Sequence, residues 1–204
     1  MQNEQPIQER VYISLEAALA GGDLEPGSRL QAASIAEWVG GSVTPAREAL
    51  FRMVGERRVE IHHDGGFRIW RPDMTQLHDV YYWNAQHLLA ALHVTPSSAL
   101  ETAFSELSEF ETVDAQGCAV RVADIFSAIG EATANGEFAI QIDQSNRRLH
   151  PIRLVEPQIL PDTADELRRL VRLGRFDVKK NVRRRILAYH RRRIEHVSQI
   201  VSAL

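Results

Sequence analysis

The sequence predicts a mainly α-helical chain in two parts. An N-terminal module of three helices is closed by a small β-hairpin, and a C-terminal antiparallel α-helical bundle of about six helices follows. Three observations predict this. Apolar residues recur at helical spacing through most of the 204 residues. A single Asp-Gly-Gly turn, Asp64-Gly65-Gly66, separates two short segments of alternating pattern. Cap-type residues and prolines punctuate the remainder. The chain is 44% apolar and 25% charged. That is enough apolar surface for a packed core, which excludes a disordered protein. The expected domains are residues 1–72 and 73–204.

Within the first domain, Val11, Leu15, Ala18 and Leu19 predict a helix from Ile7 to Ala20, stopped by Gly21-Gly22. Leu24-Glu25-Pro26-Gly27 reads as a turn. Ser34 is the expected cap of a short helix carrying Ile35, Ala36 and Trp38, ended by Gly40-Gly41. Thr44 is then the expected N-cap, and Pro45 the first residue, of a helix whose buried stripe is Ala46, Ala49, Leu50 and Met53. Arg47, Glu48 and Arg52 are left on its other faces. The alternating runs Arg58 to His62 and Phe67 to Trp70 flank the glycine turn and predict a hairpin. Two short helices joined by a glycine turn, with a hairpin after them, describe a winged helix-turn-helix.

In the second domain Asp73 caps a helix running through Leu77, Val80, Tyr81, Asn84, Leu88 and Ala91. Thr95-Pro96 is expected to open the next, with Leu100, Phe104, Leu107 and Phe110 on one face. Val120, Val122, Ile125, Phe126 and Ile129 predict a third helix, stopped near Gly130, and Gly136 to Leu149 a fourth. Pro151, Pro157 and Pro161 are expected to break up a connecting stretch. Asp162 or Thr163 caps a helix to Leu173, and a long last helix runs from about Asp177 to Val201. Tyr81-Tyr82-Trp83 is expected to form a cluster at the domain interface.

The net charge of −3 conceals a strong asymmetry. Residues 1–75 carry 8 basic and 11 acidic groups, residues 76–166 carry 4 and 14, and residues 167–204 carry 12 and 2. The basic tail is read as solvated helix faces, as a site for nucleic acid or an anionic ligand, or as a subunit interface. Arg183-Arg184-Arg185 and Arg191-Arg192-Arg193 cannot share one face, because consecutive helical residues are about 100° apart.

The segments Pro26-Gly27-Ser28-Arg29-Leu30, Ile35-Ala36 and Gly40-Gly41-Ser42-Val43-Thr44-Pro45-Ala46-Arg47-Glu48-Ala49-Leu50 resemble the winged-helix domain of GntR-family regulators. Their pattern reads PG-x-x-L, LA, then LGVSRTPVREAL, and TP-x-REAL is the specific part of the match. The helical remainder resembles the FadR-like subfamily, whose C-terminal domain senses ligands and dimerises. The resemblance is clear over about residues 7–80 and weaker beyond. It implies a homodimer that binds a double-stranded DNA operator, with an unknown small-molecule effector as its second partner.

The same resemblance implies DNA contacts from Thr44 and Arg47 on the second helix of the motif. Arg52, Arg68 and the wing histidines His62 and His63 are further candidates, with Arg71 near the wing. Val43 stands where the family usually has arginine, and a second arginine usual near Ala33 or Ser34 is absent. Each lost cation weakens binding to phosphates.

The related sensor domains carry an Asp-x-x-x-His pair on one helix and two later histidines, a set that holds a divalent cation. Here the best-matching stretch is Asn135 to Ala139, the third position falls near Glu166, and only His190 matches. The expectation is therefore no metal and no cofactor. Asn84, His87, Asn146 and His190 are the candidate effector-pocket residues. Three readings of that pocket stay open: a larger or less anionic ligand, a carboxylate held by His87, His190 or Arg153, or a filled core that serves only dimerisation.

The sequence contains no P-loop, dinucleotide fingerprint, zinc-hydrolase helix motif or nucleophile elbow, so an enzyme is not expected. Cys118, the single cysteine, excludes an internal disulfide and is expected in a cap or turn as a small buried apolar residue. No apolar run approaches the roughly 20 residues of a spanning helix, and Met1 to Arg10 has no signal-peptide core. A cytoplasmic DNA-binding regulator, with no membrane partner, is the leading expectation. A non-enzymatic protein-interaction or dimerisation module with a degenerate DNA-binding head is the alternative.

Overall fold

The structure, a computed structural model, describes residues 6–63, 65–107, 114–172 and 177–204. The expectations for Asp64, Phe110 and Leu173 lie outside these residues. The chain divides into two compact units, Met1–Arg71 (with Leu204 grouped to it) and Pro72–Ala203.

The N-terminal unit runs α1 (Ile7–Gly21), β1 (Arg29–Leu30), α2 (Ala32–Val39), α3 (Val43–Gly55), β2 (Val59–Ile61) and β3 (Phe67–Ile69). Gly22 ends α1 and Gly40 ends α2, each in the left-handed conformation that closes a helix at low cost. Pro26-Gly27 forms a tight turn in which Ser28 donates its N–H to the Glu25 carbonyl, with Gly27 at φ +89°. This is the type II arrangement that needs glycine at the third position. Val11, Leu15, Leu19, Leu50, Met53 and Ile69 make the centre of the core, so the stripes expected on α1 and α3 are the buried ones.

Three local expectations are corrected. Ser34 lies inside α2, whose N-cap is Gln31 with no side-chain cap bond. Thr44 is likewise inside α3, one residue past its start, and Ser42 is the N-cap, again without a side-chain bond. Both helices start earlier than their cap-type residue, each entered from an extended residue, Gln31 after β1 and Ser42 after the Gly40-Gly41 turn. The hairpin gains a third strand: β1 pairs antiparallel with β3, giving the order β1-β3-β2. Two residues of strand leave no periodicity to read in the sequence.

Among the described residues the C-terminal unit has eight helices, more than the six expected: α4 (Met74–Val94), α5 (Ser97–Ser105), α6 (Ala115–Glu131), α7 (Gly136–Arg153), α8 (Glu156–Ile159), α9 (Thr163–Val171), α10 (Val178–Glu195) and α11 (Val197–Ser202). Its core holds Leu88, Ile125, Phe126, Ile129, Ile142 and Ile186, all fully buried. Asp73 forms a full capping box with Gln76 at the start of α4. Gly130, inside α6, lets α7 approach closely, since an added Cβ would stand 3.1 Å from Ala139 Cα.

Other expectations change here. Thr95 closes α4 and returns its hydroxyl to the Ala91 carbonyl; Pro96 caps α5. Pro151 lies within α7. It sits in the last turn, where only one intrahelical bond is lost, so the helix runs on to Arg153. The last helix breaks at His196 into α10 and α11. Asp162 precedes α9 but makes no side-chain cap bond. Cys118 is buried inside α6. Tyr81 turns into the core of this unit while Tyr82 and Trp83 are exposed, so the three rings do not form one packed cluster.

Candidate functional site

Helix α3 presents an exposed face of Val43, Thr44, Arg47, Glu48 and Phe51 opposite its buried stripe. Among the described residues Arg47 has no carboxylate partner, and its guanidinium lies 5.9 Å from the Phe51 ring, one turn on. That contact orients the arginine along the outer surface while leaving its donors in solvent. The Thr44 hydroxyl belongs to the first turn, where free backbone N–H groups favour an anion.

Arg52 is differently placed. Its guanidinium pairs with Glu9 at 2.8 Å and Glu56 at 3.3 Å, and stacks 3.6 Å over the Tyr12 ring. Glu56 also accepts from the Tyr12 hydroxyl and pairs with Arg58, which reaches Glu16 as well. Arg52 thus holds α1 against the end of α3. In the wing, Arg68 on β3 stands opposite Arg29 on one neighbouring strand and Glu60 on the other. His62 and His63 lie with ring centroids 4.2 Å apart, His63 exposed and His62 half-buried.

In the C-terminal unit, Asn84 and His190 are hydrogen-bonded at 2.8 Å and buried. His190 stacks on Phe126, whose ring also lies 5.4 Å from the Arg153 guanidinium. Arg153 in turn donates to Asn146 Oδ1, and Asn146 donates to the Ala123 carbonyl and Ser127 Oγ. Four residues named from the sequence therefore share one cluster: Asn84, His190, Arg153 and Asn146. His87 does not join it through these contacts; it packs on Trp83 at 4.5 Å. Arg153 is 1% exposed and has no carboxylate partner among the described residues. Burial drives His190 down to about 3, so its ring is neutral.

A second buried network was not anticipated. Arg193 is fully buried and pairs with Glu156 at 2.7 Å and Glu166 at 2.9 Å, and its guanidinium stacks 3.3 Å from the Tyr189 ring. Tyr81 donates to Glu156 at 2.7 Å. The carboxylates hold Arg193 charged despite its burial, and the same burial raises the Tyr81 and Tyr189 hydroxyls well above the ordinary tyrosine value. A signal for it was present. Arg193 continues the buried stripe Val182, Ile186, Tyr189 at helical spacing, as Arg153 continues Ile142, Asn146, Leu149. Among the described residues no group of three or more histidine, cysteine, aspartate or glutamate side chains is placed to hold a metal ion.

The comparisons with known proteins agree with this geometry. A family model described as bacterial regulatory proteins, gntR family, matches residues 7–69. No curated protein matches the chain. Among solved structures the chain is similar to E. coli McbR/YncC, at 20% identity and TM-score 0.68, over 96% of this chain and 98% of that one. A Rhodococcus sp. RHA1 protein described as a transcriptional regulator GntR gives 17% identity and TM-score 0.71, over 97% and 98%. Lar, which controls expression of the Listeria monocytogenes agr system, gives 15% and 0.56, over 97% and 99%. The likeness extends over both units and shows a shared fold. With its winged helix and its TP-x-REAL segment at the start of α3, this chain carries at residues 7–69 the domain of the gntR family of bacterial regulatory proteins.

Proposed function

We propose that the chain is a sequence-specific DNA-binding transcription regulator, acting as a homodimeric repressor whose operator binding a small-molecule effector modulates. The observation that carries this reading is the outer face of α3 in a gntR-type domain, with Arg47 beside Phe51 and without a carboxylate partner among the described residues. In this reading Arg47 meets a base edge or phosphate in the major groove, Thr44 holds a phosphate at the helix start, and Arg68, His62 and His63 contact DNA from the wing. Arg52 contributes less, because Glu9 and Glu56 already neutralise it. The protein works in the cytoplasm, without catalysis and without a metal.

The C-terminal unit is the proposed sensor, as in the FadR-like subfamily that it resembles. Asn84, His190, Asn146 and Arg153 are its proposed reading residues, with His87 at their edge. An effector acts only if it binds one arrangement of the protein better than another. The uncompensated charge of Arg153 favours a carboxylate-bearing ligand.

The test is selection of duplex fragments by the purified full chain across a salt series, beside Arg47→Ala. Enrichment of a short pseudo-palindrome, lost in the variant while its melting temperature holds, is the expected result. No enrichment from a folded wild-type protein at low salt would overturn the reading and favour the interaction module.

A further inference from the structure

Six of the twelve basic residues in 167–204 line one cleft. Between α9 and α10 lies a cavity of about 700 Å³ lined by Arg169, Arg172, Arg184, Arg185, Arg191 and Arg192. Three carboxylates share it and each is already engaged. Asp162 pairs with Arg192 and, at 3.6 Å, with Arg169. Glu166 is taken by Arg193 from the buried side and by Arg192 at 3.6 Å. Glu195 lies 4.0 Å from Arg191.

Arg172, Arg184 and Arg185 remain without a carboxylate among the described residues. Among the described residues Arg185 donates to the Arg172 carbonyl. Burial and the like charges of Arg184 and Arg172 disfavour its charged form. Arg184 and Arg172 thus both repel Arg185 in a concave site lined by six arginines and three carboxylates.

We propose that this cleft binds a small phosphorylated anion. Guanidinium forks match the oxygens of a phosphate in pairs, and two linked phosphates place negative charge against three arginines and offset the like charges around Arg185. The volume falls within the range of small-ligand pockets. The carboxylates of Asp162 and Glu195 on the lining oppose a long polyanion such as duplex DNA, which would have to pass over them.

The site also has a route inward. Arg192 is shared between the cleft carboxylates, and Glu166 continues to Arg193, Glu156 and Tyr81 of α4. A phosphate that draws Arg192 away from Glu166 changes an ion pair directly connected to the buried network. The regulatory consequence rests on the effector-responsive reading above; the binding itself does not.

The experiment is isothermal titration of the full chain with sodium pyrophosphate at 150 mM sodium chloride, in parallel with a duplex-binding assay. Arg172→Gln/Arg184→Gln/Arg185→Gln removes the uncompensated charges. Arg184→Glu, at an exposed position, is the second variant, and thermal melts check both folds. The expected result is one pyrophosphate bound per chain, at least about tenfold weaker in both variants, with duplex affinity unchanged. Pyrophosphate binding that is absent, or equal in the wild type and both folded variants, overturns the proposal. Loss of duplex binding together with pyrophosphate binding, with a shallower salt dependence, overturns it in favour of a DNA-backbone surface. Variant-sensitive pyrophosphate binding by a protein that selects no duplex leaves the cleft standing and sinks the regulator reading instead.

Discussion

Nε2 of His190 lies 2.8 Å from Oδ1 of the Asn84 side-chain amide, joining α10 to α4 inside the C-terminal unit. The other ring nitrogen, Nδ1, lies 2.8 Å from the Ile186 carbonyl. A carbonyl only accepts, so Nδ1 carries the proton of the neutral ring. Nε2 is then an acceptor, so the Asn84 amide takes the orientation with its O and N exchanged, presenting NH₂ where Oδ1 stands. That assignment also supplies a partner for an amide nitrogen that is otherwise unsatisfied.

A buried neutral histidine makes the fold acid-sensitive. His190 titrates near 3 in the folded chain and near about 6.5 when unfolded. Between these values the unfolded chain binds the extra proton, so stability falls as pH is lowered, by up to about 1.4 kcal/mol per pH unit. Urea midpoints for the wild type and His190→Gln, measured from pH 7 to pH 4, are expected to converge as pH falls. Parallel curves would show that acid sensitivity arises elsewhere.

The Arg193–Glu156 pair is costly to break on one side. Glu156→Gln leaves Arg193 only Glu166 as a charged partner, and an expected loss of about 3 kcal/mol follows from uncovering a buried charge. Replacing both residues, as Glu156→Leu with Arg193→Met, is expected to cost less than the single change. Equilibrium denaturation of the three proteins decides it; a double variant less stable than the single one would refute the account. The same burial means that Arg191, Arg192 and Arg193 cannot be removed together to probe surface charge alone.

Two glycines respond oppositely to alanine. Gly27 sits at φ +89° with an added Cβ 3.1 Å from the Arg71 side chain, so Gly27→Ala is expected to cost about 1–2 kcal/mol. Gly55 is helical and faces open space, so Gly55→Ala is expected to stabilise by about 0.5–1 kcal/mol. Thermal melts of both variants should shift in opposite directions.

Chelation should change nothing. Both ring nitrogens of His190, the one residue matching the family's ligand pattern, are committed to protein partners. Dialysis against EDTA is expected to leave the melting temperature and duplex affinity unaltered. A drop restored by zinc or manganese would revise this reading of the sensor.

The helices of both units were legible because each carries a clear apolar stripe, as Val11, Leu15 and Leu19 do on α1 and Val122, Ile125 and Ile129 on α6. The winged helix was legible from order and spacing, and the TP-x-REAL segment carried its resemblance to the gntR-type domain that residues 7–69 match. Helix starts were less legible. Thr44 and Ser34 look like caps, yet the chain enters α3 and α2 a residue or two before them, from the extended residues Ser42 and Gln31, neither of which makes a side-chain cap bond.

Local pattern by itself thus determined which segments are helical, where the hairpin turns and which face of α3 is outward, because those depend on neighbours within a few residues. Only the tertiary structure decided which charges are free. Arg47 and Arg52 stand on one helix, but Glu9, forty-three residues from Arg52, neutralises only the second. Arg193 and Arg184 share α10, but Glu156 and Glu166 pair with the first and no carboxylate among the described residues reaches the second. Pairing of charges depends on distances across the fold, and those arise only when the helices pack.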